Sequence, residues 1–179
     1  MKPVPGLKAK GFVPELSLMS HRQEWWPIKP LLRRENIVIF FAHDIDCSFC
    51  GRMLSALAED YQDWRQLKAE VVVVAPHTQE ELAAFAERNE IPYPLLSDSD
   101  GRGRGLFDFA QVGPLIPPFV FAVDRYATLF FHDLSDADDA VSQEKDIFDE
   151  VEFLESQCPE CGIYRRSSEP GSGGSSVTG

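Results

Sequence analysis

NIVIFFAHDIDCSFC, Asn36 to Cys50, is the stretch whose reading decides the fold. Asn36 to Ala42 is an almost unbroken apolar, β-branched run with charge on either side, the pattern of a strand covered on both faces. A polar loop, His43 to Asp46, follows it. Beyond the loop Cys50, Leu54, Leu57, Tyr61 and Trp64 recur at steps of three and four, which predicts one amphipathic helix over 47–67. Glu70 to Ala75, EVVVVA, reads as a second buried strand, and Thr78 with Glu81 makes a capping box for a helix ending near Asn89. Strand, helix, strand, helix is the opening of an α/β domain with parallel pairing at the sheet centre.

The flanks are less regular. Residues 1–30 carry Pro3, Pro5, Pro14, Pro27 and Pro30, which forbid a long helix, and Phe12, Leu16 and Leu18 fit short strands or a hairpin. Trp25 and Trp26 are read as packing aromatics ahead of a core strand rather than a ligand platform. From Ile91 to Ala110, prolines, aspartates and glycines demand turns. Gly101, Gly103 and Gly105 lack the GxGxxG spacing of a nucleotide loop and follow no clear strand. Phe119 to Val123, a turn at Asp124 and Arg125, and Thr128 to Phe131 make a hairpin. A closing helix is expected over 138–157 with Val141, Phe148, Val151 and Leu154 inward. The tail beyond Arg166 is too polar and glycine-rich to bury anything.

The chain has 179 residues, enough for a full hydrophobic core without disulfide staples, and 44% of them are apolar. Its formal charge of −12 argues against a nucleic-acid or anionic-membrane partner, because both reward clustered Lys and Arg. Eleven acidic residues and one Lys fall between Asp133 and Glu160, read as a solvated helix face rather than a docking face for a basic partner. Neither a signal peptide nor a membrane-spanning stretch is evident, so a cytoplasmic location is expected. All four cysteines lie in two CxxC pairs, Cys47/Cys50 and Cys158/Cys161, a usage that in a reducing compartment points to redox chemistry or metal.

Cys47-Ser-Phe-Cys50 stands where a buried strand hands over to a helix. Helix-start N–H groups and the helix dipole stabilise a thiolate at the first sulfur. Cys50 shares the apolar face of Leu54 and Leu57, whereas Cys47 lies ahead of it. An accessible attacker and a shielded resolver are what dithiol exchange requires. Inert thiols, or half of a zinc site, are the competing readings. His43 is a candidate proton carrier, although a lone loop histidine is more often simply solvated.

About two thirds of the chain, from Gly11 to Phe131, resembles the thioredoxin-fold redoxins. Within them it resembles in particular the peroxiredoxin branch, the alkyl hydroperoxide reductase/thiol-specific antioxidant (AhpC/TSA) proteins. NIVIFFA before CSFC, IPYPLLSDSDG at 91–101 and PPFVFAVDRYATLFF at 117–131 carry the likeness. The resemblance implies a three-layer thioredoxin-like fold, with a central mixed sheet and helices on both faces. Residues 1–166 would be one redoxin domain with an N-terminal extension and the C-terminal CPEC segment, and 167–179 a disordered tail.

Two alignments follow from the resemblance. The four residues between strand and first cysteine match a peroxiredoxin loop. That register puts Cys50 at the peroxidatic position, with Cys47 in place of the usual Thr and His43 in place of the usual Pro. The peroxide-polarising Arg of peroxiredoxins would fall just before Phe119, where this chain has Pro118. Thioredoxins carry a substrate-docking cis-proline there, and Pro117-Pro118 suits one. The first reading is therefore a thiol-disulfide oxidoreductase using Cys47 and Cys50. The alternative is a hydroperoxide-reducing peroxidase with Cys50 peroxidatic and Cys47 resolving, and the third is a zinc-binding or non-catalytic interaction protein.

The expected partners are a protein or small-molecule disulfide, or a hydroperoxide, together with an electron-donating reductase system. No cofactor is expected apart from a candidate zinc at Cys158 and Cys161. That second pair reads equally as an auxiliary redox relay. Truncation before Gln157 should spare single-turnover oxidation of Cys47, read by thiol counting. Stoichiometric zinc lost on truncation would mark a knuckle, and a mixed disulfide between Cys47 and Cys158 or Cys161 would mark a relay.

Overall fold

The computed structural model describes residues 13–29, 34–107, 117–134 and 144–156. Seven strands form one mixed sheet: β1 (Ser17–Ser20), β2 (Trp25–Pro27), β3 (Asn36–Phe41), β4 (Ala69–Ala75), β5 (Leu95–Ser97), β6 (Phe119–Val123) and β7 (Leu129–Leu134). Their spatial order is β2-β1-β5-β4-β3-β6-β7. The pairs β3/β4 and β4/β5 are parallel, and the other neighbours are antiparallel. Every residue of β3 is buried, as its continuous apolar pattern predicts, because β4 and β6 flank it and both sheet faces are covered.

Alternation along the central strands splits the core in two. Val38, Phe40, Val71, Val73 and Val120 face one cluster, which takes in residues of α1 (Ser48–Glu59), α2 (Tyr61–Gln66), α3 (Gln79–Arg88) and α5 (Glu144–Ser156). Ile37, Ile39, Phe41, Val72, Val74 and Phe121 face the other, closed by Leu16, Ile28 and Phe107. Phe107 follows the one-turn α4 (Arg102–Gly105), so helices lie on both faces, though unevenly. Phe41 stacks on Phe119 with centroids 4.3 Å apart, and Phe107 meets both rings edge-on.

Several elements depart from the sequence reading. The single helix expected over 47–67 is two helices, α1 and α2, broken at Asp60. Asp60 leaves helical geometry, and its carbonyl accepts from the N–H groups of both Asp63 and Trp64. The break turns Trp64 into the core, edge-on to Phe148 at 4.9 Å, and lets Arg65 pair with Glu35 and Glu70. A second departure is β5, hidden in the turn-rich segment because it is only three residues long between Pro94 and Asp98. The N-terminal hairpin, β1/β2, is present, and Trp26 packs on the core while Trp25 is 62% exposed.

The β6/β7 hairpin and the Thr78/Glu81 capping box form as read, with Glu81 N–H donating to Thr78 Oγ1 and Thr78 N–H to Glu81 Oε2. In the closing helix, Ile147, Val151 and Leu154 are buried and Phe148 packs beside them. Glu155 accepts from Asn36, Lys68 and Arg125, tying this acidic helix to the sheet. Val141, the Cys158/Cys161 pair and the 167–179 tail lie outside the described residues.

Two substitutions calibrate this core. Phe121→Ala, on a wholly buried β6 ring, should cost about 3–5 kcal/mol. Thr78→Ala should cost about 1 kcal/mol through loss of the cap. Denaturant unfolding followed by circular dichroism reads both, and equal costs would contradict the assigned packing.

Candidate active site

The buried strand β3 delivers the site. Its extension, Ala42, donates its N–H to the carbonyl of Val74 at 2.9 Å, so the chain stays in the sheet until the reacting loop begins. The loop then turns at Asp44, whose Oδ1 accepts from Asp46 N–H at 2.9 Å and lies 3.5 Å from His77 Nε2. Cys47 is the N-cap of α1, and its carbonyl accepts from Gly51 N–H at 2.7 Å. Both cysteines therefore stand at the C-terminal edge of the parallel strands, where ligands gather in open α/β sheets.

The two sulfurs are not equivalent. Cys50 is fully buried and Cys47 is partly exposed, as the helical stripe predicts. The donors, however, are distributed differently from the sequence reading. No helix-start N–H bonds to the Cys47 side chain. His43 Nδ1 lies instead 3.2 Å from the Sγ of Cys50. The physical reason is register: the loop doubles back over the first turn of α1, and the sulfur that faces it is on the inward side, three residues into the motif.

Burial pushes the Cys50 thiol up, while the amides of Asp44 and His43 favour the thiolate and the neighbouring Cys47 opposes it. Either the thiol donates to the imidazole or the imidazole N–H donates to the thiolate, so one proton is shared across this contact. His43, Cys47 and Cys50 have ligand atoms within 4.8 Å of one another. Three donors fall short of the four that a closed structural zinc site takes.

Pro118 is at the same sheet end, since the β3/β6 register sets Phe41 opposite Phe119. No peptide bond among the described residues is cis, so Pro118 is not the thioredoxin-type cis-proline that its sequence suggested. Cys158 and Cys161 lie outside the described residues.

A groove of about 480 Å³ opens beside Cys47, walled by Ile45, Leu54, Phe85 and Ile91, with Arg88 stacked over the Phe85 ring. Two residues to which the sequence reading gave no role at the site also reach this end of the sheet. Arg104 is buried and donates to the carbonyl of Ala42, and the buried Asp98 holds the turn that carries it. Their signal was weak because they sit in a glycine-rich turn with no hydrophobic period.

A three-layer α/β domain with a buried and an accessible thiol at the end of its central strand is the framework of a thioredoxin-fold thiol enzyme. The AhpC/TSA family profile matches residues 10–129, about two thirds of the chain, and the protein belongs to that family of thiol-dependent antioxidant oxidoreductases. Among solved structures it is similar to the peroxidoxin BcpB from Mycobacterium tuberculosis. The TM-score is 0.72 at 18% identity, covering 83% of this chain and 98% of that one. It is also similar to the reduced Plasmodium vivax 2-Cys peroxiredoxin, with TM-score 0.71, 10% identity and coverage of 82% and 95%. A peroxiredoxin-like protein from Aquifex aeolicus gives TM-score 0.70 at 18% identity, over 84% and 89%. No curated protein sequence matches the chain.

A thiol whose pKa is raised has its reactive thiolate fraction limited at neutral pH, and that fraction grows as pH rises toward the pKa. Alkylation of Cys50 should therefore accelerate about tenfold per pH unit through neutrality, with no plateau below about pH 8.5, the ordinary cysteine value. Iodoacetamide labelling followed by peptide mass spectrometry measures it. A plateau near pH 6 would show that the donors outweigh burial.

Proposed function

We propose that the protein is a thiol peroxidase in which Cys50 attacks the hydroperoxide and Cys47 resolves the product. One observation carries this reading: His43 Nδ1 lies 3.2 Å from Cys50 Sγ, while Cys47 has no helix-start donor. Family membership and the four-residue loop between the β3 extension at Ala42 and Cys47 support the same register.

In this scheme the Cys50 thiolate attacks one peroxide oxygen. The S–O bond forms as the O–O bond breaks, and the leaving hydroxide or alkoxide takes up a proton for which His43 is the nearest carrier. Cys50 is then a sulfenic acid. The Cys47 thiolate attacks that sulfur, the S–O bond breaks, hydroxide leaves and takes up the proton released when Cys47 ionised to become water, and a Cys47–Cys50 disulfide remains. An external dithiol of thioredoxin type reduces it by exchange, starting at the more accessible sulfur. The chemistry runs on sulfur and needs no cofactor. Nothing among the described residues supports zinc at the C-terminal pair.

The disulfide oxidoreductase that the sequence first suggested keeps one supporting observation, the groove beside the accessible Cys47. The two readings assign the attacking sulfur oppositely. Cys50→Ser should abolish peroxide consumption, whereas Cys47→Ser should retain one stoichiometric turnover and accumulate a sulfenic acid that dimedone traps. His43→Gln should slow that turnover by about a hundredfold. Peroxide consumption surviving in Cys50→Ser, with a mixed disulfide trapped on Cys47, would reinstate the oxidoreductase.

A further inference from the structure

We propose that Arg104 is the positioning residue of this site, a buried cation anchored by Asp98 and bonded to the Ala42 carbonyl that holds negative charge on Cys50. The inference rests on the reading of Cys50 as the attacking thiol for its consequence in catalysis, and on the placement of Arg104 against Ala42, the residue before the histidine that touches Cys50.

Arg104 lies on the short turn α4, after β5, with its side chain only 6% exposed. The turn is built to present it. Asp98 Oδ1 accepts from Gly103 N–H at 2.6 Å and Oδ2 from Arg104 N–H at 2.9 Å. A Cβ at Gly103 would fall 3.0 Å from Leu18 Cδ1 and 3.1 Å from the Asp98 carboxyl, so this close approach needs the glycine. Arg104 Nη1 stays 3.6 Å from Asp98 Oδ2, while Nη2 donates to the carbonyl of Ala42. Ala42 is the residue before His43, whose ring lies 3.2 Å from Cys50 Sγ.

A guanidinium removed from water is costly unless its surroundings supply compensating charge, and a Leu or Met would fill the same space without that cost. Here burial disfavours the cation most, and Asp98 and then Cys50 favour it. The interaction is mutual, so a charged Arg104 favours the Cys50 thiolate. Peroxiredoxins are expected to draw such a charge from just before β6, and this chain has Pro118 there. Arg104 reaches the same strand end from a different element.

The test uses the full-length chain with Cys47, Cys158 and Cys161 changed to Ser, so that Cys50 is the only thiol, and follows thiolate absorbance against pH. Arg104→Gln and Arg104→Met should raise the Cys50 pKa by about one unit or more, and Arg104→Lys should leave it close to the parent. Gln keeps a donor for the Ala42 carbonyl, so if Met fails to fold, the Gln and Lys variants decide. A Cys50 pKa equal in the Gln and Lys variants would overturn the proposal and leave Arg104 as a tie to Ala42.

In the chain with all cysteines present, peroxide oxidation of Arg104→Gln at pH 7 should fall about tenfold and recover when the pH is raised by about one unit, because the thiolate fraction is restored. A loss that no pH recovers would also count against it. The titration needs no peroxide, so a failure of the peroxidase reading leaves the pKa shift in place. An unshifted pKa refutes the role of Arg104 even if peroxide is reduced.

Discussion

The complete burial of β3 between β4 and β6 is the constraint from which the site follows. A strand with no exposed residue cannot turn until it reaches the sheet edge, so the first polar residue after it, His43, must emerge there. Ala42 enforces this at its last step, with its N–H held by Val74 and its carbonyl by Arg104. The redox loop is therefore pinned at its base by β4 on one side and by the turn after β5 on the other, and α1 fixes its far end. Cys50 is set by α1 packing and His43 by the strand, and their 3.2 Å contact is where the two constraints meet.

That arrangement divides labour between the sulfurs. The buried thiol carries the donors and the shared proton, and its surroundings exclude water from the reacting atom. The partly exposed thiol borders a groove open to solvent. Burial opposes ionisation at Cys50, so the site needs compensating donors; the His43 imidazole touches the sulfur, and Arg104 is buried against the neighbouring Ala42 carbonyl. The same low dielectric that raises the thiol also strengthens each of these contacts.

The helices have the opposite task of holding the sheet still. The kink at Asp60 buries Trp64 against α5, and Arg65 pairs with Glu35 and Glu70 across the end of β3 and β4 away from the site. Glu155 performs a similar service for α5 through Asn36, Lys68 and Arg125. These contacts help a strongly acidic helix to dock: its apolar stripe is narrow, and Glu155 pairs with Lys68 and Arg125 in the loops at the end of the sheet.

Elements with strong local signals were legible from the order of residues alone. The apolar runs at 37–41 and 71–75, the Thr78/Glu81 box, the β6/β7 hairpin and the inequality of Cys47 and Cys50 all follow from periodicity and turn chemistry between near neighbours in the chain. Packing between distant segments settled the rest. The break at Asp60 is driven by what Trp64 and Arg65 gain elsewhere, and β5 exists because β4 and β1 pair with it on either side. The donors at Cys50 come from a loop folding back on itself, and Arg104 stands 54 positions along the chain from the thiol whose charge it meets. No spacing rule encodes such contacts, since they form only when the assembled sheet brings the ends of β3 and β5 to one edge.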